Sequence, residues 1–163
     1  MRVFIRTSIT WVVVAFVGDT MLGPMIDIKG VAPDFSVIAL VVLGLATGAG
    51  PATVGGFMLG LVQDLSNPTL LGLQALCKSS LGYAVGSLRG RLVYGVPLVE
   101  GMVVAIAVFS HDFFFLLVQS MLSDEQFLLP LITRTIPAAI YSGLVGIPVI
   151  RLAELMGILQ QED

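Results

Sequence analysis

Charge, sulfur and imidazole are all scarce in this chain. Of its 163 residues, 12% are Asp, Glu, Lys or Arg, one is cysteine and one is histidine. The lone Cys77 excludes an internal disulfide, and with no second sulfur or histidine cluster there is no metal-ligand spacing to read. Cys77 therefore reads as a small buried apolar residue. With a net charge of -3 and basic groups that never gather on one exposed surface, a nucleic-acid partner is disfavoured. Long polar stretches are missing too. The connections near 27–34 and 123–126 are too short to fold alone, so no separate soluble domain is expected to house a catalytic core. Internal duplication is absent as well: the glycine-rich hairpin at 43–60 has no counterpart in 93–150, which argues against a transporter built of repeats.

What remains is apolar. Hydrophobic residues make up 56% of the chain and its mean hydropathy is +1.00, against about 45–50% apolar and 25% charged residues in soluble domains. Such a chain lacks the polar surface to face water, so lipid is its solvent. A bilayer-spanning helix takes about 20 apolar residues, and the sequence predicts spans at 7–26, 35–47, 51–63, 70–88, 93–121 and 127–150. The second and third are short, which predicts a tight pair that is covered by protein or sits in thinned lipid; a re-entrant hairpin is the alternative. Six spans with an inside N-terminus put Arg2, Arg6, Arg89, Arg91 and Arg151 on the cytoplasmic side and only Lys29 outside. That asymmetry follows the positive-inside rule and places both termini in the cytoplasm. The first run, although preceded by Arg2 and Arg6, is followed by no clean small-x-small site, so it is read as a retained helix. The chain forms a single membrane domain (1–163), and its last segment, 151–163, keeps helical spacing of apolar residues as a cytoplasmic amphipathic tail.

Three of the runs carry glycines four apart: Gly44 with Gly48, Gly56 with Gly60, and Gly82 with Gly86. In lipid this spacing flattens one helix face and lets a second backbone come close. The order of the pieces resembles the rod shape-determining protein MreD family. The resemblance is carried by Pro33, Asp34 and Phe35 opening a helix, Gly48 to Pro51 at a turn, Gly55, Gly56, Phe57 and Gly60, Gln63 and Asp64, Leu71 to Leu73, Ala75, and Gly82, Tyr83, Gly86, Leu88 and Arg89. It covers a little over a third of the chain. It implies a non-catalytic scaffold in the bacterial inner membrane, without a cofactor. The partners it implies are MreC, RodA with a class B penicillin-binding protein, and MreB, together with membrane lipids. Gly44, Gly48, Gly56, Gly60, Asp64, Gly82, Tyr83 and Gly86 are the expected helix-packing and partner positions. Gly44/Gly48 and Gly56/Gly60 would pack internally, leaving Gly82/Gly86 for a partner helix. The alternative is the small-molecule-binding subunit of an energy-coupling-factor vitamin transporter, to which MreD is similar in size and hydropathy. The Ala-xxx-Ala element of that family's first helix is missing here, because Ala15 is followed four residues later by Asp19.

Ionisable groups inside spans are the functional suspects, since each is costly in lipid unless paired or hydrated. They are Asp19, Lys78, Glu100, His111, Asp112 and Arg134. Helix depth predicts an Asp112–Arg134 pair with His111 beside it, and a less favoured Lys78–Glu100 contact. Such a set is either a polar clasp that fixes helix register or a proton relay, and Lys78 has a further reading as the anchor of an anionic ligand. Asp64 is expected to cap the break at 66–68 or to meet a partner. Ser79 and Ser80 beside Lys78 formally allow a Ser/Lys nucleophile, but hydroxyl residues are routine packing in membrane helices.

Overall fold

The computed structural model describes residues 18–28, 30–66, 70–91, 96–123 and 126–159. These residues are helical throughout, apart from connections and an isolated bridge between Ile28 and Val31. The helices are α1 (Phe35–Thr47), α2 (Ala49–Asp64), α3 (Leu73–Gly86), α4 (Pro97–Ser123) and α5 (Leu128–Leu155), the last containing a π-helical turn at Leu131–Thr135. Most of the first expected span lies outside the described residues. Its described end is a π-helical turn, Gly18–Leu22, leading into Gly23–Met25. Among the described residues two helices are long and apolar enough to cross a bilayer, Pro97–Leu122 and Leu128–Leu155.

Helix α1 is apolar all the way round, as the helix at the middle of a bundle must be. Every residue from Ser36 to Leu45 is buried, and α2, α3, α4 and α5 all pack against it. Its 13 residues span about 20 Å, too short to cross lipid unaided. The surrounding helices cover it instead. Helix α2 is not so protected: Val54, Phe57, Met58 and Val62 are exposed. Of the two short helices expected as a covered pair, only α1 is enclosed.

A single residue joins α1 to α2. Gly48 has φ 87° and ψ -177°, a region essentially open to glycine alone. Its N–H closes on the Gly44 carbonyl while its own carbonyl accepts from Ala52, so the turn is tighter than the four residues expected from Gly48 to Pro51.

The C-terminal end departs from the expected tail. Residues 151–155 continue α5, and the helix then stops in a Schellman cap. The Ile158 N–H reaches the Ala153 carbonyl, the Gly157 N–H reaches Glu154, and Gly157 takes φ 70°. Leu159 folds back and is buried. The helical spacing seen across this segment belongs to two things, the last turn of α5 and a capped reversal.

Candidate functional site

The seam between α2 and α3 is built from missing side chains. A Cβ on Gly56 would stand 2.2 Å from the Lys78 carbonyl oxygen, one on Gly60 2.4 Å from Ala75, one on Gly82 2.3 Å from the Ala52 carbonyl oxygen, and one on Gly86 2.5 Å from Ala49. Backbones therefore touch along the whole length of the pair. Gly44 of α1 faces Gly86 and Val85. This corrects one expectation: Gly82 and Gly86 are not a spare face for a partner helix, because α2 fills it. Of the eight packing positions, Tyr83 alone is strongly exposed, at 62%. A second close seam, between α4 and α5, brings Gly143 against the Gly101 carbonyl oxygen and Gly146 against Val104. Sequence reading missed it because these glycines are not spaced four apart within one run.

Asp64 is a helix cap. It is buried at the end of α2, and its carboxylate accepts from the backbone N–H groups of Gly72, Gln74 and Ala75, each at 3.0 Å. Those donors are among the ones a helix start leaves without intrahelical partners. Asp64 thus caps the start of α3; of the break at 66–68 that it was expected to cap, 67–68 lie outside the described residues.

One turn into α3 the polar groups converge. Lys78 is 1% exposed, and its Nζ lies 3.1 Å from Nε2 of His111 and 3.9 Å from Oδ2 of Asp34. Nδ1 of His111 lies 3.0 Å from Oδ1 of Asp112. A carboxylate accepts when ionised, so Nδ1 is the ring nitrogen placed to donate to Asp112. Oε1 of Gln74 also lies 3.1 Å from Nε2 of His111, so that nitrogen is shared between Lys78 and Gln74. Asp34 is held in turn as the N-cap of α1: it accepts from the Val37 N–H at 2.8 Å and the Ser36 hydroxyl at 2.6 Å, while its own N–H donates to the Ser142 hydroxyl of α5. Asp19 accepts from the Ser36 N–H and from the Gln63 amide. Every helix thus contributes to one network.

The expected pairings are redrawn by this network. Among the described residues Asp112 and Arg134 form no ion pair, because the Asp112 carboxylate is turned to His111 on its own helix. Arg134 is exposed. Lys78 does not meet Glu100, which lies at the other end of the bundle with Oε2 3.5 Å from Nε of Arg151. Arg151 also reaches Glu154 at 2.8 Å. Depth counted along separate helices could not foresee that α1 would carry Asp34 to Lys78. Asp34, Gln63 and Gln74 are the site residues that the search for intramembrane charge left out. Asp34 and Gln63 had stood out only through the family resemblance.

Five of the six expected polar residues, all but Glu100, line one open-sided cavity of about 450 Å³, with Asp34, Gln63 and Gln74 beside them and Phe115, Leu116 and Pro130 as apolar wall. Asp34, His111 and Asp112 bring potential metal-ligand atoms within 4.8 Å of one another. Lys78 Nζ is turned to two of these three groups, Asp34 and His111. A separate groove of about 570 Å³ runs between α3 and α4 and is almost wholly apolar, with Leu76, Ala84, Ile106 and Phe114 among its walls. His111 borders both spaces.

Comparison with protein families decides the kinship: the model for the rod shape-determining protein MreD matches residues 1–156. The chain belongs to the MreD family. This is a family of membrane proteins with a structural role in setting rod shape. No match emerges from comparison with curated proteins or with solved structures. Within the network Asp34 caps α1 and pairs with Ser142 of α5, Lys78 and Gln74 of α3 meet His111 of α4, and Gln63 of α2 meets Asp19. The Ser79 hydroxyl donates to the Leu76 carbonyl at 3.0 Å within its own helix, away from the Lys78 ammonium.

Proposed function

We propose that this chain is a non-catalytic scaffold of the bacterial elongation machinery, crossing the inner membrane six times with both termini in the cytoplasm. In this reading it binds MreC and helps organise lateral peptidoglycan synthesis by RodA and a class B penicillin-binding protein, with MreB on the cytoplasmic side. The observation that carries the proposal is the MreD-family match over 1–156. The orientation is supported by where the basic residues gather. Arg89, close to Gly48, and Arg151, beside Glu100, lie at the bundle end where α1 meets α2 and α5 finishes, and an excess of basic residues marks the cytoplasmic side.

Because α2 fills the Gly82/Gly86 face, a partner must meet an outward surface, and Tyr83 on α3 is the packing-set residue left to do so. Affinity isolation of the full chain from a rod-shaped host in mild detergent should co-elute MreC, and Tyr83→Ala should reduce its recovery relative to the bait. Absence of MreC, combined with a stoichiometric vitamin-sized molecule in the eluate, would overturn the scaffold in favour of the small-molecule-binding subunit. The charged cavity is the one observation on that second reading's side.

A further inference from the structure

The cavity has features that helix packing alone does not require. Two π-helical turns occur among the described residues, Gly18–Leu22 and Leu131–Thr135, and each delivers a charged side chain, Asp19 and Arg134, to the same cavity. Such turns interrupt the regular ladder of hydrogen bonds and are found disproportionately at functional sites. Arg134 has no ion pair among the described residues even though Asp112 lines the same space, and its exposed side chain stands at the cavity wall. Three carboxylic side chains line the cavity, Asp19, Asp34 and Asp112, against two basic ones, Lys78 and Arg134. Lys78 is turned to His111 and Asp34. A guest must therefore answer both signs: positive charge toward the carboxylates, negative charge toward Arg134.

We propose that this cavity binds a zwitterion made of a primary ammonium and an anionic oxygen group, the chemistry of phosphoethanolamine. The ammonium N–H groups would be received by the carboxylates of Asp112 and Asp19, which act only as acceptors when ionised. The planar guanidinium of Arg134 presents paired donors that match a phosphate. A quaternary ammonium is a poorer fit. It has no N–H to donate, and its recognition depends on aromatic faces, of which Phe115 is the one in the cavity wall. The volume of about 450 Å³ lies in the range of small-ligand sites, and Phe115 and Leu116 offer apolar wall for whatever the phosphate is esterified to. The same chemistry reaches the protein either as the headgroup of phosphatidylethanolamine or as a free phosphoethanolamine.

The inference does not rest on the scaffold reading, since it is tested on the chain alone, without MreC. The full-length protein is purified in mild detergent and offered phosphatidylethanolamine against phosphatidylcholine of identical acyl chains, with retention read by native mass spectrometry. In a second arm, O-phosphoethanolamine is added and thermal unfolding is followed. Selective retention of phosphatidylethanolamine is expected. It should fall about tenfold in Arg134→Gln, the loss that removing one charge-assisted hydrogen bond implies, and recover in part in Arg134→Lys. Arg134 is exposed and forms no ion pair among the described residues, and an unshifted Tm is the measure that its variants keep the fold. Stabilisation by O-phosphoethanolamine as well places recognition in the headgroup itself, and its absence assigns the source to the lipid. Stabilisation by O-phosphoethanolamine that is lost in Arg134→Gln, with no lipid selectivity, assigns it to the free compound. No selectivity and no stabilisation, or binding by either route that Arg134→Gln leaves unchanged, overturns the proposal.

Discussion

At the scale of single residues, the structure assigns work to side chains by what they satisfy. Asp64 answers three backbone donors at the start of α3. Asp64→Ala leaves them without an acceptor and should cost about 0.5–2 kcal/mol for the cap alone, visible as a lower Tm in detergent. Lys78 and His111 are bound to each other through a donor and an acceptor that exist only in the right protonation states. A double-mutant cycle with Lys78→Met and His111→Phe should return a coupling of about 0.5–3 kcal/mol in unfolding free energy, and a value near zero would mean that their proximity is incidental. The sequence made the residue types legible, because an ionisable group in a lipid-soluble run is conspicuous. The partners were not legible. Which carboxylate meets Lys78 depends on the rotation of α1 about its axis, and a helix that is apolar on every side carries no periodic signal to set that rotation.

At the scale of helices, glycine decides contact. Gly60→Leu pushes a side chain into the Ala75 backbone and should destabilise by about 1–3 kcal/mol or more. Gly50, in the first turn of α2, would place its Cβ in open space, so Gly50→Ala should stabilise by about 0.4–1 kcal/mol through the unfolded chain. Thermal unfolding of the two variants side by side separates close approach from mere glycine content. The helices themselves could be read from hydropathy to within a few residues for α1 to α4, since each apolar run is broken by Gly, Pro or charge. The end of α5 could not. Amphipathic spacing in 151–159 looks the same whether a helix continues or a Schellman cap folds Leu159 back onto the bundle.

At the scale of the whole molecule, the described bundle has a basic end and an end where acidic groups cap helices. If the basic end is cytoplasmic, a cysteine introduced at Ser66 in a Cys77→Ala background should react with a membrane-impermeant maleimide from outside intact spheroplasts. One at Ser87 should react only after permeabilisation, and the reverse pattern would invert the topology. The family was legible because its residues cluster where backbones touch and helices are capped. The cavity was not, because it assembles from segments far apart in the chain.

The one-residue joint at Gly48 has a consequence for biogenesis. With no slack between them, α1 and α2 of the proposed six-span topology would have no room to leave the translocation machinery one after the other and choose orientation separately. They would enter as a hairpin, with the polarity of both decided in one event. A longer loop spliced in at Gly48 would uncouple those two decisions before it disturbed the finished fold.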